Sequence, residues 1–159
     1  MNHDTIEVTA KARGTHWRAV ASMFALNGAL FGVWASRIPA IKDLHGLSHS
    51  ALGGLLLLMA AGAIVAFPVA GWVSDRRGPA QVTRILGVLN ALALFGLALA
   101  PGPLILGLVL MTFGACHGAM DVTMNGWAAE VERWAKRPQM STYHAMWSLG
   151  AGIGAATGY

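Results

Sequence analysis

The polar residues of this chain are gathered into short segments, and long apolar runs separate them. The runs cover residues 17–38, 51–73, 82–100, 104–129 and 140–159. The run 51–73 contains no Asp, Glu, Lys, Arg or His. As a helix rising about 1.5 Å per residue it reaches roughly 30 Å, enough to cross a bilayer. The run 17–38 carries Arg18 and Arg37 near its ends, with Ser22 and Asn27 between them. Arg84 stands near the start of 82–100, where its stem can lie along apolar surface while its charge reaches water. Turn and breaker residues bound the runs: Pro39, Gly78-Pro79, Pro101-Gly102-Pro103 and Pro138. The pattern predicts about five transmembrane helices behind a polar N-terminal tail, residues 1–16. That tail lacks the small-residue cleavage site of a signal peptide, so the first run is expected to be retained as a helix.

Composition agrees with the pattern. The chain is 55% hydrophobic and 11% charged, against about 25% charged in globular domains. Its basic balance is explained by topology. With the N-terminus inside, the inner segments hold Lys11, Arg13, Arg18, Arg76, Arg77, Arg84, Arg133, Lys136 and Arg137, and the outer segments hold Arg37 and Lys42. The positive-inside rule favours that placement, with the N-terminus cytoplasmic and the chain multi-pass in the cell (inner) membrane. The cations form no aromatic-interleaved patch, so nucleic acid is not an expected partner. The single cysteine, Cys116, excludes an internal disulfide and reads as a small core residue. Trp17, Trp34, Trp72 and Trp127 fall near predicted helix ends, as interfacial anchors do.

The segment between the second and third runs carries the strongest motif. Asp75 stands just past a helix C-terminus, where the helix dipole disfavours an acid, so it is expected to need a partner. Arg76, Arg77 or the N-terminus of a neighbouring helix would serve. Gly78 permits a positive φ, and Gly71 removes a side chain where another helix could approach. A solvated basic loop that only sets topology is the plainer reading. The pattern Gly71-x-x-x-Asp75-Arg76-x-Gly78 resembles the loop signature of the major facilitator superfamily, with Pro79 and Ala80 where that family usually has two basic residues.

The resemblance extends over the whole chain and implies a fold class: all-α, a polytopic membrane helix bundle forming the N-terminal portion of a major facilitator fold. It implies that the acid and arginine of the loop join a network with the second half of the transporter and help control its inward- and outward-facing states. Members of that family resemble twelve-helix proteins built from two six-helix halves, with solute held between the halves. The expectation is therefore a fragment or truncated gene product whose missing C-terminal half is a required partner. Alongside it stand the lipid bilayer, a small-molecule solute and protons. No cofactor is expected.

The fourth run places His117, Asp121 and Asn125 at four-residue intervals, along one helix face. Asp121 is the only carboxylate inside any of the apolar runs. Facing lipid its charge would be costly, so it is expected to face the bundle interior or a water-filled cavity. A group that takes up a proton in one conformation and releases it in another can couple proton movement to transport. A permanently paired structural acid is the competing reading. Gly118-Ala-Met-Asp121-Val-Thr-Met-Asn125 resembles the fourth-helix segment of the fucose-permease branch, which implies a proton-linked Asp121 and a solute or packing contact at Asn125. That branch has an Asp in its first helix, whereas this chain offers Asn27. The segments Trp34-Ala-Ser-Arg37-Ile-Pro39-Ala-Ile and His144-Ala-Met-Trp147-Ser-Leu-Gly150 resemble small facilitators related to the branch.

The remaining polar residues invite plainer readings. Arg37 reads as an interfacial arginine that snorkels, His144 as a loop-edge histidine, and Asn27 and Asn90 as hydrogen bonders between helices. Gly150-Ala-Gly152-Ile-Gly154 follows no soluble strand and is not a dinucleotide loop. Gly150, Gly154 and Gly158, Gly28 with Gly32, and Gly114 with Gly118 instead recur every four residues, forming faces on which helices approach closely. The expected function is transmembrane transport of a small solute by alternating access. A non-transporting membrane scaffold or assembly subunit is the alternative. A membrane metalloenzyme using His117 and Asp121 is disfavoured, because no third ligand, HExxH or triad accompanies them.

Overall fold

A computed structural model describes the backbone of residues 3–158 and the side chains of residues 16–158. The helices in chain order are α1 (His3–Leu44), α2 (His49–Arg77), α3 (Pro79–Ala98), α4 (Pro103–Ala135) and α5 (Met140–Thr157). Among the described residues, four segments are long and apolar enough to cross a membrane: His16–Leu44, His49–Arg77, Pro79–Ala98 and Pro103–Ala135. The shorter α5 carries His144, Ser148 and several glycines, and it lies along α1. Helices extend past the apolar runs because continuing the coil keeps backbone groups paired beyond the hydrocarbon edge. Residues 3–16, expected as a tail, therefore continue α1, and α4 continues past residue 129 to Ala135. Pro39, expected as a breaker, lies inside α1, which loses one backbone hydrogen bond there and runs on to Leu44.

The turns are short and chemically defined. Ser48 caps α2, its hydroxyl accepting from the Ala51 amide at 3.1 Å. Between α2 and α3 stands Gly78 alone, at φ 81°, with Pro79 opening α3. That positive φ is open to glycine at little cost. Between α4 and α5 the chain turns at Lys136, φ 53°. The Glu132 carboxylate there accepts from the backbone amides of Gln139 at 2.8 Å and Met140 at 2.9 Å. An anion on free N–H groups at a helix start is favoured by both hydrogen bonding and the helix dipole.

Two helix pairs form the frame: α1 lies along α5, and α2 along α4, with α3 packed on α4. Each frame pair runs parallel, and each is built on reciprocal glycine contacts. A methyl group added at Gly28 would strike the carbonyl of Trp147, and one added at Gly150 would strike that of Ala25. The next turn repeats the arrangement, Gly32 against Ala151 and Gly154 against Ala29. In the second pair, Gly62 stands against the Met111 carbonyl and Gly114 against that of Met59. Where lipid surrounds the bundle, water exclusion supplies little force between helices. Close backbone approach, with weak Cα–H···O contacts, takes its place.

The side chains left around this frame make two cores. One joins Trp34, Leu55, Leu97, Leu106, Leu110 and Phe113; the other joins Val20, Phe24, Met124, Trp127, Val131 and Tyr143. Trp34 and Trp127, read in the sequence as interfacial anchors, are thus core residues, only 2% and 4% exposed. Both sit on the centrally placed α1 and α4, and Trp127 lies well inside α4 because that helix extends to Ala135. Trp72 is exposed, and the Arg76 guanidinium lies 3.7 Å from its ring centre.

Gly150→Ala is expected to destabilise the α1–α5 pair by about 1–3 kcal/mol through overpacking. At Gly152 an added methyl meets nothing within 4 Å, so Gly152→Ala should be neutral or stabilising by up to about 1 kcal/mol. Thermal unfolding of the two variants in detergent checks the contrast. Equal melting temperatures would show that the backbone contact carries no weight.

Candidate functional site

Four helices each send one side chain to a single buried cluster. Asn27 comes from α1, Asn90 from α3, His117 from α4 and Trp147 from α5. The Trp147 indole N–H donates to Asn27 Oδ1 at 2.8 Å. The Asn27 amide nitrogen lies 3.4 Å from His117 Nδ1, and that of Asn90 lies 3.2 Å from the same atom. Asn27 and Asn90 are both fully buried. The imidazole is held between the rings of Phe31 and Phe113, at centroid distances of 5.4 and 5.7 Å, and Phe31 also meets Trp147 at 5.9 Å. One atom is left over. Asn90 Oδ1 is buried with no hydrogen-bond partner among the described residues.

Asp121 and Asn125 sit on the same face of α4 as His117, further along the helix. The Asn125 amide donates to the Asp121 carboxylate at 3.3 Å and to its backbone carbonyl at 2.9 Å. Asp121 is exposed, on a face that α1–α5 leave open, while its neighbours Met120, Thr123 and Met124 are fully buried. His144 of α5 stands near the carboxylate, and its ring stands edge-on to Phe24 at 5.3 Å. Asn27 and His117 therefore join through the buried cluster, and Asp121 and Asn125 join at the open face.

The turn between α2 and α3 forms a separate feature. Asp75 lines a cleft of about 370 Å³ with Ser74, Gly78, Pro79, Gly126, Glu130 and Arg133. Neither Arg76 nor Arg77 pairs with it, and among the described residues Asp75 has no hydrogen bond or salt bridge. Arg76 is instead held over Trp72. At Gly71 an added methyl would meet nothing within 4 Å, so no described helix approaches closely there. Arg37 donates to the Gly158 carbonyl at 3.2 Å, a cation placed at the C-terminal end of α5. Cys116 lines an apolar cavity of about 440 Å³ between α2, α3 and α4.

Trp147, Glu132 and the buried Thr83–Thr123 hydrogen bond (3.0 Å) went unread in the sequence. Trp147 pairs across 120 residues and Thr83 across 40, so no local spacing announces either. For Glu132 a signal existed. It is an acid on the polar segment joining two predicted helices, although its partners lie seven and eight residues further on.

The model of the Major Facilitator Superfamily matches residues 5–158. The chain is 47% identical over 145 residues to an uncharacterized transporter of Sinorhizobium fredii, covering 91% of this chain and 38% of that protein. It is 34% identical to an uncharacterized MFS-type transporter of Yersinia pestis, over 83% of this chain and 34% of the relative. To the membrane protein MosC of Rhizobium meliloti it is 36% identical, over 85% and 34% respectively. The chain thus spans little more than a third of the length of these relatives. No solved structure matches it significantly. With apolar helices long enough to span a bilayer and a family match covering nearly its whole length, the chain belongs to the major facilitator superfamily.

Proposed function

We propose that the chain works as the N-terminal part of a secondary transporter that moves a small solute by alternating access, coupled to protons by Asp121. The observation that carries this reading is the exposed carboxylate itself, the one acid within the apolar run 104–129 of α4, on a face that the five described helices leave uncovered. An acid there faces either a water-filled pathway or a second half of the protein, since lipid would penalise its charge. Its contacts favour a working role over a permanently neutralised one: a neutral amide, Asn125, holds it, and no salt bridge ties it down among the described residues. The lengths of the relatives support a second half, and two of them, named as transporters, support transport.

On this reading Asn27, His117, Asp121 and Asn125 belong to the solute and proton pathway, and the sequence-predicted switch loop consists of Gly71, Asp75 and Arg76 in the last turns of α2 together with Gly78. The unpaired Asp75 in its cleft supports a partner contributed by the second half. A sugar-like solute rests on the resemblance of residues 118–125 to the fucose-permease branch. The N-terminus is cytoplasmic and the membrane is the inner one, as the distribution of Lys and Arg favours.

In proteoliposomes of a full-length transporter carrying this segment, Asp121→Asn should abolish uphill uptake driven by a pH gradient and leave solute exchange partly intact. Unchanged uphill uptake would overturn the proton role. Asp75→Asn should slow both uptake and exchange several-fold with little change in apparent solute affinity, because it alters switching and not binding. A change in affinity alone would contradict the switch assignment.

A further inference from the structure

The buried cluster has a hydrogen-bonding direction that can be read from one end to the other. An indole N–H only donates, so Asn27 presents its carbonyl oxygen to Trp147. Its amide N–H₂ is then the group turned toward His117 Nδ1. A ring nitrogen facing an N–H donor must offer a lone pair. The second amide at that nitrogen, from Asn90, fits the same requirement, because its carbonyl oxygen in that place would set lone pair against lone pair. Neutral imidazole carries one hydrogen, and with Nδ1 accepting, that hydrogen sits on Nε2.

Nε2 has no hydrogen-bond partner among the described residues. It is not enclosed either, since the only buried side-chain nitrogen or oxygen without a partner among them is Asn90 Oδ1. Asp121 stands on the same face of α4, about 6 Å along the axis from His117 at 1.5 Å per residue. We infer that His117 is a fixed hydrogen-bond donor of the solute site, its Nε2–H set by Trp147 and Asn27 as positioning residues, and that the solute meets it with an uncharged oxygen acceptor, a hydroxyl or carbonyl. A carboxylate there would be repelled by Asp121, and an ammonium would meet the ring with donor against donor. Two flanking aromatic rings and an Asn90 amide allow the imidazole little freedom to turn and present its other nitrogen.

The inference deepens the transport reading and rests on it for the ligand alone. Uphill uptake tests that reading, whereas the state of the ring is measured with no uptake at all. Histidine-selective ¹⁵N NMR of the protein in nanodiscs at neutral pH, with the signal assigned by His117→Gln, should give a neutral ring protonated at Nε2 only. Asn27→Asp, whose ionised carboxylate offers only acceptors, should move the hydrogen to Nδ1, with the Asn90 amide turning to present its otherwise unpartnered oxygen there, while Trp147→Phe should give a mixture of both forms by releasing the Asn27 amide to turn. An Nδ1–H signal in the wild-type protein, or an unchanged spectrum in Asn27→Asp, would overturn the inference. N,N-Dimethylacetamide, an uncharged carbonyl acceptor with no N–H, should shift the Nε2 resonance saturably, and methylammonium, which only donates, should not. A response to methylammonium, or to neither probe, would overturn the ligand assignment.

Discussion

The close approach of backbones at Gly28, Gly32, Gly150 and Gly154 is the constraint on which the rest of the molecule depends. Each of these glycines lets the opposing helix bring a carbonyl into space that any side chain would fill. In a membrane this is what holds parallel helices together, since lipid is no less apolar than the side chains between them. Trp147 supplies one of those carbonyls, at Gly28, immediately beside Asn27. The same contact that joins α1 to α5 therefore carries the indole to the amide. The arrangement occurs a second time, with Gly62 and Gly114 joining α2 to α4, and α4 is the helix that brings His117.

Much of the fold was legible because membranes leave few choices. Apolar run length set the helices, and the four-residue recurrence of glycine marked the faces that meet. What the sequence did not disclose depended on which faces meet. Trp34 and Trp127 looked like interfacial anchors by their distance from the ends of apolar runs, but central helices keep both in the core. Asn27 and Asn90 were recognisable as hydrogen bonders between helices, and the shared partner at His117 was not. Those contacts span 90 and 27 residues, and no period within one helix encodes them. At the turn the positive φ of Gly78 followed from residue type, whereas Asp75 found no partner in its neighbouring arginines, and Arg76 lies over Trp72 instead.

Two kinds of polar site emerge, with different physical demands. The cluster around His117 is buried and directional, and its amides and indole trade hydrogen bonds that lipid could not replace. The Asp121–Asn125 pair is open and ionisable, and it faces the side that the five helices leave uncovered. On the proposed reading, a fixed donor beside an ionisable carboxylate suits a proton-coupled transporter, which recognises its solute in both facing states and changes its own charge between them. The turn at Gly78 lies at one end of the bundle, in the cleft between α2, α3 and α4.

The central claim is that glycine-backed helix contact positions the polar cluster, and exchange of the Trp147 indole hydrogen with deuterated water measures it directly by NMR. Gly150→Ala pushes α5 away from α1, so the indole hydrogen should exchange markedly faster there than in the wild type or in Gly152→Ala. Equal, slow exchange in all three proteins would contradict the account.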